Sequence, residues 1–202
     1  SVVDQQVIEE GIQQCATDLQ LSDITLIRQS MNAVYQATSA NGPLIMRVSR
    51  PTTSTQPAIE FADYLRRQGF EVPAPISQVP FRHDEIEITL WEFIEPHSEH
   101  IVNWSTIGSF VRRLHDIDPE NVAKFYPLPK AASFPWWNFD VLLSELGPTL
   151  NSNDCDILLE RWERLRPFFK AAQDITVESV GDRPVLCHGD IHPGNVIVNR
   201  DT

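Results

Sequence analysis

The sequence predicts an α+β protein of two lobes: a small antiparallel β lobe over residues 1–94 and a helical lobe over 95–202. Three observations carry this. Asn41-Gly42 sits between two β-rich runs, the strongest short-range hairpin signal. Ile86, Ile88 and Leu90 alternate onto one face of a strand. Beyond residue 95 the apolar residues recur at helical spacing instead, as in Ile107, Phe110, Val111 and Leu114.

The elements follow in order. Ile8, Ile12, Cys15 and Leu19 give one apolar face to a helix over 3–19. "ITLIRQ" (24–29), "VYQATS" (34–39) and "LIMRVS" (44–49) are rich in β-branched residues and read as strands. Pro57 suits a first helical turn, and Gly69 suits the C-terminal cap of a helix carrying Phe61, Ala62 and Leu65. "VPAP" (72–75) is a rigid connector, and 76–81 with 85–93 form a hairpin around His83-Asp84. A connector near 93–97 leads into a helix ending near "LHDIDP". A Pro- and aromatic-rich stretch then precedes helices over 140–147 and 154–172, the latter carrying Leu158, Leu159, Trp162 and Leu165. No repeat and no low-complexity tract interrupts this order.

Composition excludes several classes. Of 202 residues, 42% are hydrophobic and 22% charged, ordinary for a globular domain. No apolar run reaches the length of a membrane span, and no basic-then-apolar leader opens the chain, so the expected compartment is cytoplasmic. Three separated cysteines, Cys15, Cys155 and Cys187, make neither a disulfide framework nor a zinc knuckle. A net charge of −12 argues against nucleic-acid binding, which needs clustered cations. It is compatible with a cationic substrate, and Asp84, Glu85, Glu87, Glu92, Glu95 and Glu99 bunch together. Oligomeric state leaves no mark in the sequence.

The segment "VLCHGDIHPGNVIV" (185–198) carries the chemistry. Two apolar runs, expected as strands, flank a loop with Asp190 and, five residues on, Asn195. That spacing suits a phosphoryl-transfer loop, where an aspartate accepts the attacking hydroxyl's proton and an asparagine carbonyl oxygen ligates Mg²⁺. Pro193-Gly194 supplies the tight turn, and Gly189 lets the backbone bend beside the base. His188 and His192 read as residues that order the loop. As metal ligands they would suit a metallophosphoesterase, which needs further downstream ligands in a chain with seven residues after Asn195.

"HGDIHPGN" resembles the catalytic loop of the aminoglycoside phosphotransferase and choline kinase-like family, whose fold is that of the protein kinases. The resemblance implies an ATP- or GTP-dependent, Mg²⁺-requiring kinase that phosphorylates a hydroxyl of a small aminoglycoside-like or amino-bearing molecule. It implies that Asp190 is the catalytic base and Asn195 a metal ligand. Arg47 would grip the phosphates from the third strand, paired with Glu60 on the next helix. Ser30 and Asn32, in "QSMNAVYQ" where protein kinases carry a glycine-rich loop, would cover the phosphates. Glu92, Phe93 and Ile94, in "LWEFIEP", would line the nucleotide base as the linker between lobes. The family carries a second metal-binding aspartate on a strand returning after Asn195. No such strand follows here, so the helical lobe is expected to be a truncated piece, inactive by itself. The alternative is a non-catalytic nucleotide-binding or interaction module with a degenerate kinase fold.

Overall fold

The computed structural model describes residues 5–29, 32–51, 54–97, 101–128, 151–174 and 185–199, with isolated positions between 141 and 149. Helix α1 (Gln5–Leu19) leads into strands β1 (Ser22–Gln29), β2 (Ala33–Ser39) and β3 (Gly42–Ser49). Helix α2 (Gln56–Arg67) follows, then β4 (Phe81–His83) and β5 (Ile86–Glu92). Helices α3 (Trp104–His115), α4 (Pro119–Ala123) and α5 (Ser152–Asp174) come next. The five strands form one antiparallel sheet in the order β1-β2-β3-β5-β4. The fold is α+β, as the sequence implies.

Period-two alternation divides this sheet into two faces. Ala33 and Ala37, Leu44, Met46 and Val48, and Ile86, Ile88 and Leu90 point one way and pack against Ile12 and Cys15 of α1. Burial pushes the Cys15 thiol up to about 11, with Asp18 adding to the effect. The other face carries Val34, Ile45, Arg47 and Trp91, which line a cavity. In sequence each strand thus interleaves a core residue with a cavity residue.

The turns show how the chain achieves this. Ser39 pairs with Gly42, so the tight turn is Ala40-Asn41, one residue earlier than Asn41-Gly42 suggests. Gly42 opens β3 at φ +111°, a conformation that costs a side chain dearly. At the end of α2, Gly69 has φ +76° and its carbonyl accepts a hydrogen bond of 2.8 Å from Arg113 Nη2. The Arg113 guanidinium also lies 4.5 Å from the centre of the Phe70 ring, which tethers α3 to the end of α2. Asn103 caps α3 by accepting from Ser105 N and Thr106 N at 3.0 and 3.3 Å.

Several expectations need correction. The runs 185–187 and 196–198 are not strands: no partner ladder meets them among the described residues, though His97 N donates to Val198 O at 2.6 Å. The strand expected over 76–81 shrinks to Phe81–His83, because Ile76 N bonds Leu90 O and Pro75 makes only an isolated bridge to Trp91. Helix α4, capped by Asp118 with Pro119 at its first position, lies unpredicted in the Pro- and aromatic-rich stretch. Within α5, Trp162 is buried but Leu159 and Leu165 are exposed. Most of 140–147 lies outside the described residues. Packing groups residues 1–126 with 186–202 in one compact unit and 127–185 in a second. No helix among the described residues is long and apolar enough to cross a membrane.

Candidate active site

The loop after Leu186 is held by its own side chains. Pro193–Asn195 makes one 3₁₀ turn, with Asn195 N donating to His192 O at 2.9 Å. His192 Nδ1 accepts from Gly194 N at 3.1 Å, and its Nε2 lies 3.8 Å from Asp190 Oδ2. His188 Nδ1 accepts from Asp190 N at 3.3 Å. Both histidines therefore bind the loop backbone. Gly189, at φ +82°, makes the bend that turns Asp190 out to solvent.

Asp190 and Asn195 meet directly. Asn195 Nδ2 donates to Asp190 Oδ2 at 2.9 Å and to the Asp190 carbonyl at 3.0 Å. With its NH₂ committed to Asp190, the asparagine presents Oδ1, its one acceptor, away from that contact. An oxygen donor beside a carboxylate fits a hard cation such as Mg²⁺. Among the described residues no three His, Cys, Asp or Glu side chains cluster closely enough to hold a metal ion by themselves. A magnesium ion here would take the rest of its shell from phosphate and water, as is usual for that ion.

The cavity on the open face of the sheet has a volume of about 530 Å³. Of the residues singled out in the sequence, Arg47, Glu92, Phe93 and Ile94 line it. Gly194 and Ile197 also line it, so the loop and the sheet share one space. Phe93 and Ile94 make no backbone hydrogen bond among the described residues, leaving donors and acceptors at the cavity wall. The Glu92 carboxylate is held by Ala74 N, which donates to its Oε2 at 3.1 Å, and Arg66 lies 3.7 Å from the same oxygen.

The Arg47 side chain makes no hydrogen bond or ion pair among the described residues. Desolvation draws it down from the usual arginine range, Tyr126 opposes this and neighbouring Arg28 adds to it. Glu60 is exposed and accepts from Gln56 Nε2 at 3.1 Å; it does not pair with Arg47. Ala62, not Glu60, is the α2 residue at the cavity. Asn32 is half-buried and does not line it, and Ser30 lies outside the described residues. Sequence reasoning missed Ile27, Arg28, Val34, Ile45 and Trp91. Strand alternation from Arg47 could have found Ile45; nothing in sequence could have found Arg28, whose position depends on strand register.

Comparisons with known proteins bear on the fold and the family. Solved structures with the same fold include spectinomycin phosphotransferase APH(9)-Ia in complex with ADP and spectinomycin, at 17% identity and TM-score 0.59, over 100% of this chain and 67% of that one. An AMP-bound complex of the same enzyme matches at 18% identity and TM-score 0.56, over 97% of this chain and 66% of that one. The streptomycin–ATP–APH(2″)-IIa ternary complex matches at 13% identity and TM-score 0.55, over 100% and 68%. The chain thus spans about two thirds of the length of these proteins. No protein of curated function matches it in sequence. The model of the phosphotransferase enzyme family covers residues 23–202, sheet, cavity and loop together, and the chain belongs to that family.

Proposed function

We propose that this protein transfers the γ-phosphoryl group of ATP or GTP to a hydroxyl of a small, amino-bearing acceptor. The observation that carries the reading is the Asp190–Asn195 contact at 2.9 Å, on a loop that lines the same cavity as Arg47 and the 92–94 segment. The nucleotide base would lie against the backbone of Phe93 and Ile94, flanked by Val34, Ile45 and Trp91. Arg47, whose guanidinium makes no hydrogen bond or ion pair among the described residues, would take the phosphates. The small apolar lining suits a flat ring, and the charged edge suits what hangs from it.

In this mechanism Asp190 accepts the proton of the acceptor hydroxyl as the new O–P bond forms. The bond from the γ-phosphorus to the bridging oxygen breaks, and the nucleoside diphosphate leaves with that electron pair. Asn195 keeps Asp190 oriented through Nδ2 and would hold magnesium through Oδ1. The ion, when bound, would offset charge on the phosphates. His192, locked by the Gly194 N–H on its Nδ1, faces Asp190 with its Nε2. The acceptor's amino groups match a chain of net charge −12. The reaction is set in the cytoplasm, where nucleoside triphosphates are supplied.

The test is a panel of amino-bearing alcohols, incubated with the protein, Mg²⁺ and ATP or GTP, and read by mass spectrometry. Gain of one phosphoryl group by an acceptor, with equal nucleoside diphosphate formed, is expected. Nucleotide binding with no transfer to any acceptor would instead favour a binding module.

A further inference from the structure

We infer that Arg28 is a second phosphate-gripping residue, brought to the cavity by a β-bulge in β1. The inference rests on the nucleotide reading above and extends it to a residue outside every recognised motif of the sequence.

The register of the first hairpin makes the case. Leu26 of β1 opposes Tyr35 of β2, and Arg28 opposes Val34. Two residues of β1 therefore advance against one of β2, with Ile27 as the extra residue. In an unbroken ladder Ile27 would oppose Val34 and Arg28 would oppose Ala33. Ala33 is 6% exposed and belongs to the core beneath α1. Without the bulge, Arg28 would thus be turned to the α1 side of the sheet. With it, Arg28, Val34, Arg47 and Thr89 form one row across four strands, on the cavity face. Adjacent residues of a regular strand face opposite ways, yet Ile27 and Arg28 both line the cavity.

The row sets the reach. Only β2 separates the two arginines, so their backbones stand about 9.5 Å apart, two strand spacings. Both long side chains can meet on one polyphosphate. Neither guanidinium has a hydrogen bond or ion pair among the described residues, and these two like charges face one cavity. That arrangement wants an anion with several oxygens, which two planar forks can grip at separate phosphates. A single exposed edge-strand arginine that merely deterred edge pairing would serve equally well from either face. Here the bulge selects the cavity face.

Calorimetric titration of ATP, ADP and AMP against the wild type, Arg28→Gln, Arg28→Ala and Arg47→Ala tests the inference. Arg28→Gln should weaken ATP and ADP by about tenfold, the scale of a lost charge-assisted hydrogen bond, and change AMP far less. Arg28 is exposed, so both variants should melt as the wild type does. If both bind ATP as tightly as the wild type while Arg47→Ala is weakened, Arg28 has no such role and the nucleotide reading stands. If the wild type binds none of the three nucleotides, both readings fall.

Discussion

A methyl group at position 194 would sit 2.8 Å from His192 Cε1 and 3.1 Å from Nδ1. Glycine there is what lets the imidazole lie against the turn and accept the Gly194 N–H. Gly194→Ala should push the ring off Asp190 and lower kcat by between about tenfold and a hundredfold, the range for small misplacements of catalytic groups. The measurement is steady-state kinetics beside a thermal melt, which should barely move. An unchanged kcat would free His192 from any positioning role. At this scale the sequence was informative where chemistry fixes spacing: Asp190 and Asn195 were legible because one short loop must serve both. The Arg47–Glu60 pair was not, because the resting place of an exposed carboxylate is a rotamer choice among near-equal options, and Gln56 takes it.

Elements were legible wherever burial enforces a period. β2, β3 and β5 announce themselves because α1 covers one of their faces. Met46 is fully buried there, and Met46→Ala should cost about 2–5 kcal/mol in urea unfolding. β4 was misjudged because its pairing is set by β5 and not by its own residues. The junction between β5 and α2 shows another tie that sequence does not display. Thr55 N and Oγ1 donate to Glu87 Oε2 at 2.6 and 2.7 Å, and Arg82 Nε donates to Oε1 at 3.0 Å. Burial alone would raise the Glu87 carboxyl, but these donors outweigh it and hold it below the usual range. A carboxyl depressed in the folded state stabilises above its unfolded value, and that stabilisation fades as pH falls through the folded one. Glu87→Gln should therefore melt below the wild type at pH 7, by about 1–3 kcal/mol, with the gap closing as pH falls below about 4. A gap constant with pH would show that shape, not charge, matters there.

Across the whole molecule, the proposed function gives acidity and the two cavity arginines different ligands. A net charge of −12 would draw amino-bearing acceptors, while Arg28 and Arg47 would supply the local positive charge that a triphosphate needs. Raising salt should accordingly lower kcat/KM for a polycationic acceptor more than for a neutral alcohol, checked at saturating nucleotide. Fold class was legible at this scale from the switch between strand and helix periods, and the family from one eight-residue loop. The central claim is that Asp190 deprotonates an acceptor held beside a nucleotide whose phosphates lie at this cavity. Single-turnover transfer from γ-labelled ATP, in wild type and Asp190→Asn, tests it most directly. The prediction is a loss of about 10²–10⁴ in the transfer rate with ATP affinity nearly unchanged. Transfer by Asp190→Asn at the wild-type rate would contradict it.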